Sequence, residues 1–580
     1  MKKFIYIKFL VVLIISMTFS AGCQEEFLDF TPKGVVNSED LNSPENIEKL
    51  VIAAYAAQGN DNFFAPFQDM WTYGSVGAGD AHKGGGSIPD QFNTHRIEVK
   101  TLQTATGNTN NRLMWLNLYV LVSRINEAMG RLQAANEADL PTRGERIAEM
   151  NFLRAQTYFK LKVLYKHIVY LDETIEKKDY ITKHNRELSD QEGWQWIIDE
   201  WRAAVAGLPA TQSEIGRPTK GAAKLFLAKS LIYKAYVQDD NHQVTAITQS
   251  ELNEAANLIA EVDASGEFDL HADIADNFLC ETESGIESVW AVMRSIDDGA
   301  PEGRGNHSNA LNSTMGPGYG CCWFNIPSVN LANAFKTDVD GLPMFDTYDG
   351  DPIIDGVAAV EANNLDPRFS HSIAVLGMPW KYVPDRIFDE TYSRVPGIYG
   401  FNAAFKDQEL PESPCFRGTV AFFTTARNTD QMRYADALLY WAEALIETGR
   451  HLEALPIINR IRERAMNSTG KLVKADGSSS GQYMIGLYNE SHFATKEDAL
   501  RILRWERRLE LALESHPGRF FDLVRWGIAE ETLNAYFSTE KARREYLNDA
   551  NFVVGRDEYQ PIPNSQIVVS QGAIIQNNGY

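Results

Sequence analysis

Apolar residues recur at helical spacing over most of this chain and lose that period in its middle. Ile47, Leu50, Val51, Ala54 and Tyr55 form one stripe behind Ser43, which can cap a helix, and Pro44, which suits its first turn. Trp115, Leu118, Tyr119, Val122, Ile125 and Met129 keep the same spacing, as do Ile147, Met150, Ala155, Tyr158, Phe159, Lys162 and Tyr165. Further helices are predicted over Trp194–Leu208, Ala222–Tyr236 and Leu252–Val262. Small and aromatic residues alternate on these helices and the connections are short, which suggests tetratricopeptide-like stacking, although the strict consensus of that repeat is absent.

From about Gly266 to Arg427 the texture changes. Short β-prone runs such as Ser288–Met293 are separated by the glycine- and proline-rich loops Gly299–Pro327 and Met378–Pro414. An earlier loop, Asn60–Thr106, is also long and rich in Gly, Asp and aromatics, and loops of that length in a compact protein are usually functional or disordered. Helix resumes at Met432 and again over Ala454–Ala465.

The stretch Arg504–Gly527 organises the rest. Ile502, Trp505, Leu509, Ala512 and Leu513 lie on one side of a helix, Glu506, Glu510 and Glu514 form a second stripe, and Arg504 and Arg508 a third. Like charges at this spacing repel, so single-signed stripes require opposite charges from other segments. His516-Pro517-Gly518 ends the helix, and an amphipathic turn with Phe520, Phe521, Leu523, Val524 and Trp526 follows.

Glu506–Leu511, Gly518-Arg519 and Asp522–Gly527 resemble the C-terminal signature of the SusD-like (RagB/SusD) family of surface glycan-binding lipoproteins. Phe27–Pro32, Pro327-Ser328, Leu331–Phe335, Asp340-Gly341, Asp366-Pro367-Arg368, Arg433–Leu439, Ala442–Ala444, Ile458–Ala465 and the closing Pro561–Tyr580 resemble further landmarks, in the family's order. The resemblance implies a mainly α SusD-like fold of tetratricopeptide-like helical pairs with a loop-rich region of short β-strands. It divides the chain into a signal peptide over 1–22 and a SusD-like domain over 23–580, helical to about 265, loop-rich over about 266–427 and helical again over about 428–580.

The N-terminus adds a location. Lys2 and Lys3 precede an apolar run, Phe9–Phe19, too short to span a bilayer, and Ser20-Ala21-Gly22-Cys23 matches a lipobox, so Cys23 is the predicted lipidation site. Two or more acyl chains anchor stably, which makes the mature chain tethered and not membrane-spanning. Gln24-Glu25-Glu26 resembles the acidic tag that sends such lipoproteins to the outer face of the outer membrane in Bacteroidota-type cells. The net charge of −23, more negative once the three signal-peptide lysines are gone, repels phosphate backbones and argues against a nucleic-acid partner. Cys280, Cys321, Cys322 and Cys415 are too few for a disulfide framework and lack metal-site spacing; one of the adjacent pair can join Cys280 or Cys415.

Phosphate-binding loops, the dinucleotide fingerprint and H-E-x-x-H are absent. Gly477–Gly481 fits G-x-S-x-G formally but lies in a serine-rich linker without a leading apolar strand, and Asp346, Asp349 and Asp351 read as a solvated turn before a calcium site. No catalytic residue, metal or cofactor is expected. The long loops carry aromatic surface instead: Trp71 and Tyr73, then Tyr319 and Trp323, then Trp380, Tyr382, Tyr392 and Tyr399. An aromatic ring can cover the C–H face of a sugar while Asn, Asp or Arg bonds to its hydroxyls. The resemblance favours Trp323, Tyr319 and Trp71 as stacking residues, with Asp80, Asn306 and Asn309 as polar partners. It further implies capture of an oligosaccharide or polysaccharide and its delivery to a SusC-like TonB-dependent transporter. The alternatives are a helical interaction scaffold or a peptide-binding nutrient lipoprotein.

Overall fold

A computed structural model describes residues 40–60, 63–101, 109–296, 298–299, 304–418, 423–514 and 518–580. The signal run, Cys23 and the Phe27–Pro32 lead lie outside the described residues, as do His516 and Pro517. Helix α1 (Pro44–Gln58) starts at its expected cap, where Ser43 Oγ accepts the Asn46 N–H at 3.3 Å. Then come α2 (Thr109–Ala134), α3 (Arg143–Tyr165), α4 (Asp190–Gly207), α5 (Lys220–Ala235) and α6 (Gln249–Ser265), each packed on its predecessor. Ser189 and Glu192 close a capping box at the start of α4. The layers lock through large rings: Phe152 of α3 lies 5.0 Å from Trp201 of α4 and 5.4 Å from Phe226 of α5. The aromatic and small residues of the stripes thus interdigitate as facing helices require. No helix among the described residues is long and apolar enough to cross a membrane.

The strands pair into two-stranded antiparallel sheets. Of these, β1 (Ala81–Gly84) pairs with β3 (Phe324–Pro327), and β2 (Ser288–Val292) with β4 (Thr429–Arg433). The segment Asn60–Thr106 is therefore not one loop: it also holds short helices at Trp71–Gly74 and Phe92–Glu98. Helix also resumes two residues later than expected, because Met432 is drawn into β4 opposite Trp290 and α7 spans Tyr434–Glu447. Helix α7 packs on α6, α8 (His451–Met466) packs on α7, and α9 (Lys496–Glu510) packs on α7 in turn.

Helix α9 meets the counter-charges its stripes call for. Glu506 accepts from Arg368 at 2.7 Å and Arg462 at 2.5 Å, and Glu510 pairs with Arg433 and Arg464. Just beyond the helix, Glu514 accepts from Arg433 at 2.7 Å and pairs with Lys406. Arg507 reaches Asp522 at the start of α10 (Arg519–Arg525), Arg508 reaches Asp80, and Arg504 lies over the Trp526 ring. Burial alone would raise the Glu510 carboxyl, but Arg464 and Arg433 outweigh it and hold it far below the usual carboxylate range.

Candidate functional site

The β1–β3 ladder brings the first and second long loops together. Gly84 stands opposite Phe324, and the Gly85 N–H donates to Trp323 O at 2.6 Å. Glycine is required at this junction. Gly84 and Gly85 have φ of +82° and +83°, and a Cβ on Gly85 would sit 2.4 Å from the Phe324 ring. Behind the turn, buried Lys83 donates to the carbonyls of Gly84, Ser87 and Asp90 at 2.7, 3.0 and 2.5 Å. Burial lowers its ammonium to about 8, against the pull of Glu98 and Asp90.

The third loop closes over the same place. Met315 N–H donates to Tyr392 O at 2.9 Å, and Arg394 Nη1 donates to Asp90 Oδ2 and to Cys322 O, both at 3.3 Å. Asp90 also accepts the Gly86 N–H at 2.9 Å. Three loops far apart in sequence thus form one surface with the Asp90–Arg394 pair at their junction, its side chains 32% and 37% exposed.

The expected aromatics lie beneath this surface, not on it. Trp71 is 1% exposed, donates to Ser308 O at 3.0 Å and packs edge-on to Phe324. Tyr73 is equally buried and belongs to the helical core. Tyr319, Trp323 and Trp380 share a second cluster with Phe388, Tyr392, Tyr399 and Phe405. Trp380 Nε1 donates to the Tyr319 hydroxyl at 2.9 Å, that hydroxyl donates to Glu409 O at 2.7 Å, and Trp323 stacks on Phe388. Tyr382 is half-buried against Phe405, its hydroxyl 2.8 Å from His371 Nδ1. These rings gain more from one another than loops could gain by exposing them to water, so all of these but the half-buried Tyr382 are packed inside the protein.

The expected polar contacts are likewise committed within the protein. Asp80 accepts two bonds from Arg508, at 3.0 and 2.9 Å, and one from Arg519 at 2.9 Å. Asn306 accepts the Ser308 N–H and donates to Thr429, and Asn309 accepts from Asn312. Asp349, an alternative calcium ligand, is held by Arg543, Asn330 and Asn333. Cys280, Glu283 and Cys415 come within ligand distance of one another, but Cys280 and Cys415 are joined in a disulfide, which removes both thiolates. Cys321 and Cys322 are bonded to each other, the pairing not anticipated from the sequence.

Phe92 escaped the sequence reading. Its ring is 45% exposed, stacks on His95 at 5.7 Å and lies under the Arg96 guanidinium at 4.8 Å, two residues from Asp90. The available signal was the turn Gly84–Asp90 delivering an aromatic to the first residue of a helix among polar neighbours.

Residues 286–580 match the model of the SusD family. A SusD-like protein of Formosa agariphila is 21% identical over 541 residues, covering 89% of this chain and 90% of its own. The crystal structure of a SusD superfamily protein from Bacteroides vulgatus superposes with a TM-score of 0.67 at 19% identity, covering 93% of this chain and 99% of that one. Surface glycan-binding protein A from Bacteroides fluxus does so at 0.64 and 20%, covering 92% and 99%. A laminarin-binding SusD-like protein does so at 0.61 and 19%, covering 93% and 100%. With half of its length matched by the family model and the same fold throughout, the chain belongs to the SusD family.

Proposed function

We propose that this chain is a cell-surface lipoprotein that captures an oligosaccharide by binding alone, without catalysis, and hands it to a TonB-dependent outer-membrane transporter. The observation that carries the reading is the convergence of three long loops on the partly exposed Asp90–Arg394 pair, with exposed Phe92 two positions along the chain from Asp90 and a buried aromatic cluster beneath. Charged groups of both signs can bond to sugar hydroxyls while an exposed ring covers a C–H face. The relatives support it: of two proteins of the same fold, one is named as laminarin-binding and the other as a surface glycan-binding protein. In this reading the stacking role expected of Trp323, Tyr319 and Trp71 is one of support, and the residues about 266–427 meet the ligand together with Asp90 and Phe92. Lipidation at Cys23 would hold the chain on the outer membrane. An affinity between millimolar and micromolar, about 4 to 8 kcal/mol, suits capture followed by release.

Titration calorimetry of the mature chain against laminarihexaose, maltoheptaose, xylohexaose and chitohexaose tests the reading. Saturable binding to one of them, weakened in Phe92→Ala and Arg394→Ala, supports it; no heat with any sugar counts against it.

A second reading, capture of a peptide or partner segment, draws on the burial of the loop aromatics and on a cleft elsewhere. Beside α1 an opening of about 360 Å³ is lined by Ile52, Tyr55, Trp290, Met293, Arg294 and Arg304, with Ile52 53% exposed. Binding of an acidic, apolar peptide that Ile52→Asp abolishes, in a chain that ignores all four sugars, would favour this alternative.

A further inference from the structure

We infer that the Cys321–Cys322 disulfide is part of the ligand surface and offers a sugar ring an apolar platform beside the Asp90–Arg394 pair. The inference rests on the oligosaccharide reading and adds a contact of its own. A disulfide stabilises a fold mainly by shortening the loops available to the unfolded chain. Cys280–Cys415 does this across 135 positions; Cys321–Cys322 joins neighbours and closes no loop, so stapling does not account for it.

Its setting suits a contact surface. Cys322 is buried against the cluster of Trp71, Leu311 and Phe324, whereas Cys321 packs on that cluster and remains partly exposed, next to exposed Gly318 and Gly320. Several backbone polar groups around it are already bonded. Ser313 O accepts from Cys322 N–H at 3.1 Å and Trp323 N–H at 2.8 Å, the Ser313 hydroxyl donates to Cys321 O, and Arg394 donates to Cys322 O. What the pair adds to the surface is therefore polarisable sulfur and methylene, held in a small rigid ring. A sugar lying on that ring has hydroxyls within the neighbourhood of a guanidinium and a carboxylate, which can bond to them. The Trp323 ring, expected at the surface, is turned inward onto Phe388 one residue later, which leaves the disulfide, together with Pro317 and Met315, to supply apolar surface on this loop.

The test is calorimetry of the Cys321→Ser/Cys322→Ser double variant against whichever of the four oligosaccharides binds the wild-type chain, alongside its thermal midpoint. About tenfold weaker binding at an unchanged midpoint is expected; affinity within about twofold of wild type overturns the platform and leaves the oligosaccharide reading standing. Should the variant fail to fold, a crystal structure of the wild-type chain with the same sugar decides: ring carbons within about 4.5 Å of Cys321 Sγ support the inference, and a sugar bound away from it overturns it. If none of the sugars binds the wild-type chain, the oligosaccharide reading falls and the platform with it.

Discussion

Arg508 and Asp80 are 428 positions apart in the chain, yet both are buried and two guanidinium nitrogens of Arg508 donate to one Asp80 carboxylate oxygen, at 3.0 and 2.9 Å. The backbone carbonyl of Asp80 accepts from Ser328 N–H at 2.9 Å, immediately after β3. One residue thus ties α9 to the ladder on which the long loops meet.

Removing that residue strands two arginines. Asp80→Ala leaves Arg508 and Arg519 without their shared carboxylate in the interior, a change that costs about 3–5 kcal/mol when one partner of a buried pair is lost. Urea denaturation of the variant should show this loss. A change below about 1 kcal/mol would mean that the arginines find other partners.

Trp380 is expected to act through stability. It is fully buried against Phe388, Tyr392 and Phe405, and Trp380→Ala should cost about 3–5 kcal/mol. Phe92→Ala should do the opposite, leaving the denaturation midpoint within about 0.5 kcal/mol of wild type and weakening oligosaccharide binding by about 2 kcal/mol. Measuring both quantities on both variants separates a supporting ring from a contacting one.

Buried carboxyls of two kinds should leave opposite marks on the pH dependence of stability. Burial would raise the carboxyls of Glu443 and Glu514, but Arg525 beside the first and Arg433 beside the second lower each to about 2. Their folded values lie below the unfolded ones, so their contribution is present above about 4.5 and is lost as the pH falls toward 2. Burial raises Asp430 to about 6 and, with Asp69 adding to it, Asp407 to about 7. Their contribution is complete below about 4 and is lost as the pH rises through 6 and 7. Melting temperatures followed from pH 3 to pH 8 should therefore gain more with rising pH in Asp407→Asn and Asp430→Asn than in the wild-type chain; parallel profiles would contradict the assignment of the two aspartates.

Breaking Cys280–Cys415 should be costly. The bond spans 135 positions of the loop-rich region, and losing a native disulfide of that span costs about 2–5 kcal/mol. Cys280→Ser/Cys415→Ser should lower the midpoint accordingly, in contrast to the expected silence of Cys321→Ser/Cys322→Ser.

The sequence made the helices and the buried charges legible for a physical reason. A period of 3.6 is written in the chain itself, so Ser43, Pro44 and the stripe to Tyr55 specify α1 locally, and three glutamates on one helical stripe imply arginines elsewhere without naming them. The loops carry no such period. Whether Trp323 points to solvent or onto Phe388 depends on a pairing of β1 with β3 across more than two hundred residues, which no local pattern encodes. Phe92 was missed on the same ground, because a single aromatic among Gln91, Asn93 and Thr94 makes no stripe.

The charge lattice of α9 also sets an order of assembly. Arg368, Arg433, Arg462 and Arg464 leave the ribosome well before Glu506, Glu510 and Glu514, and until those glutamates arrive Asp366 and Glu287 alone among their buried partners are there to offset them. A nascent chain can stack its first helices early, since those contacts are between neighbours. The loop surface, sewn to α9 through Asp80, cannot be completed until synthesis is nearly over. A chain that ends before Lys496 is therefore expected to retain helical layers and have no binding face.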